Sequence, residues 1–214
     1  MNAKRIFVSL AAFLLALAPA VSAGQSFENL LQAASKGDIP VVGTLLNQGL
    51  DPNTADSDGN TLLMLAARQG HQEMVSFLIS RKASVTRRSP HGDTALMLAS
   101  IKGHIAAAKV LLENGAEITH SGWTPIHYAA FEGRAEMIKF LIEKGAAKNG
   151  LAPNGFTPLM LAARGGHVAA ARILLYEDVD LYVRGPKGET ALSITRAGKY
   201  MELEALLTRA GAIN

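Results

Sequence analysis

Short apolar stretches at helical spacing recur along this chain in pairs. Between Gly122 and Gly145, Ile126, Ala129 and Ala130 fall at i, i+3 and i+4, and Met137, Phe140 and Leu141 repeat that spacing. Each triplet marks the apolar face of a short helix. Thr124 is placed to cap the first helix through its hydroxyl. Pro125 suits the first helical position, where its missing donor would be unpaired anyway. Gly133 ends that helix, and Gly145 closes the second at a position suited to a left-handed backbone turn. Gly122 suits the tight turn that precedes both. The pattern predicts an antiparallel helix pair followed by a loop to the next unit.

The unit repeats. Gly59, Gly92, Gly122, Gly155 and Gly188 open similar segments in steps of 33, 30, 33 and 33 residues. A fixed period of this size signals a solenoid, in which each unit buries its apolar face only against its neighbours. Phe27–Asn53 is a weaker earlier copy, with Gly37 placed 33 residues before Gly70. The expected units are therefore about 26–58, 59–91, 92–121, 122–154, 155–187 and 188–214. Leu98 and Leu161 are expected inside their first helices. The last unit has Lys199-Tyr200 where Gly-His stands in three others, and Ser193, Arg196 and Glu204 add polarity. Polar departures of this kind fit end units that face water.

Thr124-Pro125-Ile126-His127-Tyr128-Ala129, and next Thr157-Pro158-Leu159-Met160-Leu161-Ala162, carry a resemblance to the ankyrin repeat, whose pattern is T-P-L-H-x-A at a period of 33. The resemblance covers about residues 26–214, six units with divergent ends. It implies an all-α solenoid of stacked helix–turn–helix units joined by projecting, β-hairpin-like finger loops. It also implies that His127 makes a structural hydrogen bond between units. The stretch from Ala116 to Gly122 is three residues shorter than its counterparts from Ala83 to Gly92 and from Ala146 to Gly155. One finger in mid-array is thus expected to be short, leaving room beside Trp123.

The first 23 residues stand outside the repeats. Lys4 and Arg5 precede an apolar run, Ile6–Ala18, followed by Pro19 and Val21-Ser22-Ala23. This is the layout of a secretory signal peptide, with cleavage expected after Ala23. The thirteen-residue run reaches roughly 20 Å as a helix, short of the ~30 Å of a bilayer core. A retained membrane anchor is the alternative. Removing Lys4 and Arg5 from 21 Lys+Arg leaves 19 against 18 Asp+Glu. That balance offers no attraction for nucleic acid or, after cleavage, for anionic membrane. There is no cysteine and no Asn-x-Ser/Thr acceptor. Stacked repeats need no disulfide, so a periplasmic or secreted monomer is expected, with a eukaryotic secretory route left open.

Candidate chemistry is sparse. His71, His104 and His167 take one position in three units, at the start of the second helix. Successive layers ~8–10 Å apart hold them too far apart to share a zinc, whose ligand bonds are about 2 Å. They read as polar groups at helix starts, and His91 and His120 as solvated finger residues. Glu132, Glu136, Glu202 and Glu204 read as solvated helix faces. No nucleophile–base motif, metal motif or phosphate-binding loop occurs, and no cofactor is implied. Arg81, Lys82, Arg87 and Arg88 cluster at the finger after the second unit, as a solvated finger or an acidic-partner contact.

In the resembled family, the residue after each turn glycine and the two before the next glycine face a concave groove. Carried over, these are Asn60, Arg68 and Gln69; Asp93, Ile101 and Lys102; Trp123, Phe131 and Glu132; Phe156, Arg164 and Gly165; and Glu189. Trp123, Phe131 and Phe156 fall in two adjacent units, an aromatic patch expected either to anchor a partner or to fill the gap at the short finger. The implied function is non-catalytic protein binding through groove and fingers, with Arg68, Gln69, Asp93, Ile101, Lys102 and Arg164 as further contacts. An effector that binds a host protein, or an enzyme with an unrecognised site, remain the alternatives.

Overall fold

The computed structural model describes residues 24–213. The expected signal segment, residues 1–23, lies outside them. A first helix, α1, covers residues 24–36. It is followed by α2 (Ile39–Asn47), α3 (Leu62–Gln69), α4 (Gln72–Ser80), α5 (Ala95–Lys102) and α6 (Ile105–Glu113). Then come α7 (Pro125–Phe131), α8 (Ala135–Glu143), α9 (Pro158–Arg164), α10 (Val168–Tyr176), α11 (Ala191–Ala197) and α12 (Met201–Arg209). Among the described residues there is no strand, only an isolated antiparallel bridge between Ala55 and Thr61. The expected all-helical solenoid is the observed architecture.

From α3 on, each first helix starts on a threonine. The hydroxyls of Thr61, Thr94, Thr157 and Thr190 accept from the amides of Met64, Met97, Met160 and Ser193 at 3.2–3.3 Å. At two of these starts the methionine replies: Sδ of Met64 and of Met97 accepts from the Thr61 and Thr94 amides at 3.4 Å. Two opening donors are satisfied reciprocally, as in a capping box, with sulfur in place of carboxylate. At Thr124 the same place is taken by His127, whose Nδ1 accepts from the Thr124 amide at 3.2 Å. The His127 Nε2–H donates to the Gly150 carbonyl at 2.9 Å. That bond reaches the finger of its own unit, which leads into the next, so the expected bond between units is corrected to this extent.

First helices α3, α5, α7, α9 and α11 stack in order, each also packed on its own second helix. Ala66, Ala67, Ala99, Ala129, Ala130, Ala162 and Ala163 are fully buried between them and keep the backbones close. One contiguous apolar core runs the length of the stack, from Leu30 to Ala212. Leu161 is buried as expected, but Leu98 is only half-buried. Met97, one residue earlier, takes the interior place with 1% exposure. The equivalent positions Leu65 and Ile194 are likewise only partly covered, so this row lies at the edge of the covered face in three of the units.

The second helices bear out and extend another expectation. His71, His104, Arg134, His167 and Tyr200 stand at their amino-terminal cap positions, yet none makes a side-chain cap bond. They reach back to the preceding unit. Nε2 of His71 donates to the Ser35 carbonyl at 3.0 Å, and that of His167 to Phe131 at 2.9 Å. Arg134 Nε donates to Ile101 at 3.1 Å, and His104 bonds the Arg68 carbonyl. Tyr200 OH approaches the Arg164 carbonyl at a longer 3.5 Å. One polar ladder therefore links every adjacent pair of units, and at Arg134 and Tyr200 other donors stand in for histidine.

Four connections share a turn. Asp56, Ser89, Ala152 and Gly185 each donate an amide four residues ahead and accept one from three residues ahead. Among the described residues the connection between α6 and α7 has no such pair, as a finger shortened by three residues implies. His91 is exposed, but His120 in this short finger is not simply solvated. Its Nδ1 lies 2.8 Å from the Ser121 carbonyl, and its Nε2 is buried without a partner among the described residues.

Candidate functional site: a cleft beside the short finger

Gly122 turns the chain into α7 with Trp123 just outside the helix. The indole is half-buried. It meets the His127 ring edge-on at 6.0 Å and 82°, and the Tyr128 ring at 5.8 Å and 55°. Tyr128 donates its hydroxyl to Oδ1 of Asp93, at 2.5 Å, so it is fastened to the turn that opens the preceding unit. Burial first, then the Asp93 bond and charge, push the phenol above its ordinary range. Tyr128 is therefore a fixed, neutral donor at any physiological pH. Phe131 closes α7 with 47% of its surface exposed. Its carbonyl is held by His167, so an exposed aromatic stands on a fixed backbone.

These residues surround a cleft of about 280 Å³, completed by Ile101 from α5, Leu161 and Arg164 from α9, and Asn154 from the next finger. Apolar walls surround a few polar groups, the usual composition of a side-chain pocket. The structure thus brings Ile101, Trp123, Phe131 and Arg164 together. Phe156 is not in this cleft. It lines a second one, of about 510 Å³, with Arg164, Lys187, Glu189 and Ile194. Arg164 is common to both, because α9 lies between them. Trp123 also packs against the core, so it shares the gap-filling role that was the alternative reading. Asp93 reaches the site through Tyr128, while Arg68, Gln69 and Lys102 are exposed outside both clefts.

Tyr128 and Asn154 escaped the sequence reading. Tyr128 occupies the place held by Leu65, Leu98, Leu161 and Ile194 in the other units. That row is only partly covered at Leu65, Leu98 and Ile194, and a tyrosine in a row of aliphatics was the available signal. The basic finger disperses: Arg81 bonds Asn47 at 2.9 Å and lies over the Phe77 ring, and Arg88 pairs with Glu117 at 3.1 Å. Among the carboxylates read as solvated, Glu132 lies 3.6 Å from Arg134 and Glu204 2.7 Å from Arg196. Among the described residues no group of three His, Asp or Glu side chains is placed to hold a metal ion, and no helix is long and apolar enough to cross a membrane.

Comparison with known proteins agrees with this architecture. The family model described as ankyrin repeats (3 copies) matches residues 30–121 and 118–185. Ankyrin repeat and KH domain-containing protein 1 of Homo sapiens is 36% identical over 104 residues, 46% of this chain and 4% of that protein. Alpha-latrotoxin-Lg1a of Latrodectus geometricus is 37% identical over 92 residues, covering 42% and 7%. Protein phosphatase 1 regulatory subunit 12A of Mus musculus is 38% identical over 74 residues, covering 35% and 7%. The chain spans 7% or less of the length of each of these three relatives.

Proposed function

Because the chain belongs to the ankyrin-repeat family, we infer that its groove side is a protein-binding surface and that the Trp123–Phe131 cleft is its anchor pocket. Ankyrin repeats generally mediate protein–protein interaction. The observation that carries the reading for this chain is Phe131: a large apolar side chain, 47% exposed, at the mouth of a cleft on a rigid stack. Docking desolvates such a group without the cost of ordering its backbone, which is already held. The role is non-catalytic: the motifs of nucleophilic, metal-assisted and phosphate chemistry are missing from the sequence.

The test is capture from an envelope extract on the chain starting at Gly24, with Phe131→Ala as control. Phe131→Ala should leave the melting temperature nearly unchanged and weaken the captured partner by ~1–3 kcal/mol. Trp123→Ala should lower both, since the indole packs on buried His127. A stable Phe131→Ala variant with undiminished capture would move the site to the fingers around Arg81–Arg88. For location, the reading is export to a periplasm or beyond. Intact mass of protein from its native host should begin at Gly24; a mature form that retains Met1 in the membrane fraction would overturn it.

A further inference from the structure

The groove-facing residues have a charge pattern that the anchor pocket alone does not use. Two rows run along the stack, one step per unit. The first is Ser35, Arg68, Ile101, Phe131, Arg164 and Ala197; the second is Lys36, Gln69, Lys102, Glu132, Gly165 and Gly198. Together they hold four cations and one anion. The anion, Glu132, already has Arg134 at 3.6 Å. Lys36, Arg68, Lys102 and Arg164 are exposed and in no ion pair among the described residues. The acidic residues of the neighbouring finger row keep their charge but are held by hydrogen bonds within the protein. Asp93 accepts from Tyr128, and Oε2 of Glu189 accepts from the Lys187 amide at 2.8 Å.

Position matters as much as sign. Arg68 and Arg164 flank Ile101 and Phe131 in the same row. Three layers at ~8–10 Å separate the two arginines, roughly 24–30 Å. An extended chain at ~3.3 Å per residue covers that span with about nine residues. The apolar cleft lies between the cations, with Lys102 beside it.

We propose that the groove takes an extended acidic segment of a partner protein, with a bulky apolar side chain seated between Ile101, Trp123 and Phe131 and carboxylates reaching Arg68 and Arg164. This rests on the groove reading above and adds the chemistry of its ligand. Arginine suits the role because its planar fork pairs with a carboxylate through two parallel bonds. Unpaired groove cations would attract an acidic segment from a distance and repel a basic one.

The experiment uses fluorescein-labelled peptides of about nine residues, with a central leucine flanked by glutamates or by lysines, titrated onto the chain from Gly24 by anisotropy. The glutamate peptide should bind, more weakly as salt rises, and the lysine peptide should not. Arg68→Glu with Arg164→Glu should weaken the glutamate peptide at least about tenfold and let the lysine peptide bind, since both pairs change sign. Circular dichroism confirms that the variant is folded. Several results would overturn the inference, and they differ in what they leave standing. Lysine-peptide binding lost in Phe131→Ala would keep the groove and refute its acidic ligand. Glutamate-peptide binding indifferent to both Phe131→Ala and the arginine reversals would place it elsewhere and remove both readings. If neither peptide binds, the acidic-segment inference falls and the groove is judged by capture alone. Labelled oligothymidine bound as tightly as the glutamate peptide, with the same dependence on Arg68 and Arg164, would make the ligand a nucleic acid instead.

Discussion

Replacing Gly70 by Ala should destabilise the stack far more than replacing Gly115, although both glycines have left-handed φ, 79° and 89°. The shared part is the cost of an L-residue in that region, about 1–2 kcal/mol. The difference is the ladder. A Cβ at Gly70 would stand 2.5 Å from Nδ1 and 2.7 Å from Cγ of His104, whereas at Gly115 nothing lies within 4 Å. The His104 ring cannot swing away freely, because it is bonded to the Arg68 carbonyl. Displacing it adds ~1–3 kcal/mol of repacking and ~0.5–1.5 kcal/mol for the bond. At ~2–4 °C per kcal/mol for a chain of this size, Gly115→Ala should lower the melting temperature by about 2–8 °C. Gly70→Ala should lower it by at least about twice as much. Gly103→Ala is the graded control. There the nearest atom is Cδ of Arg134 at 3.3 Å, on a flexible chain, and the loss should stay near that of Gly115→Ala. In a His104→Ala background the extra cost of Gly70→Ala should vanish. Equal melts for Gly70→Ala and Gly115→Ala, or a cost unchanged by removing the ring, would refute the ladder as a packed element.

Met97→Ala should cost ~2–5 kcal/mol by denaturant unfolding, and Leu98→Ala clearly less, because only Met97 is fully interior; the reverse order would contradict the register of α5. Burial, partly offset by bonds to the Gly150 and Arg68 carbonyls, lowers the pKa values of His127 and His104 below 6.5, with smaller lowering from His120 for the first and from His71, Arg134 and Lys102 for the second. The unfolded chain then binds more protons in that range. The stability these groups contribute is complete above pH ~6.5 and is lost as pH falls toward their folded values. Chemical unfolding at about pH 7.5 and pH 5.5 should show the loss, and His127→Met, which copies Met64 and Met97, should reduce it. A slope unchanged in His127→Met would remove His127 as its source.

Much of the scaffold was legible because its signals are local. Thr124 and Pro125 set the start of α7, the glycines set the ends, and the i, i+3, i+4 triplets gave the inward face; α7 and α8 lie where those marks put them. What failed was anything decided by the neighbouring unit. Periodicity says which face of α5 is apolar, but it does not say that α7 leaves Leu98 at the edge of cover. The position of His71 at a helix start suggests a cap, and only the stack shows the Ser35 carbonyl, 36 residues back, as its partner. The aromatic patch divided for the same reason, since Arg164 on α9 stands between Phe131 and Phe156.

The ladder also explains how one fold can carry different side chains at the same position from unit to unit. Ser35, Arg68, Ile101, Phe131 and Arg164 share a single row, and their side chains have nothing chemical in common. Each offers its carbonyl to the next unit's His71, His104, Arg134, His167 or Tyr200. The carbonyl is the same whatever side chain it belongs to. Stacking is thus secured through the main chain of these residues, and a change such as Phe131→Ala or Arg164→Glu alters the exposed side chain without removing a rung. A chain built this way can change these side chains one at a time at small cost to stability, provided that the donor in the following unit is kept.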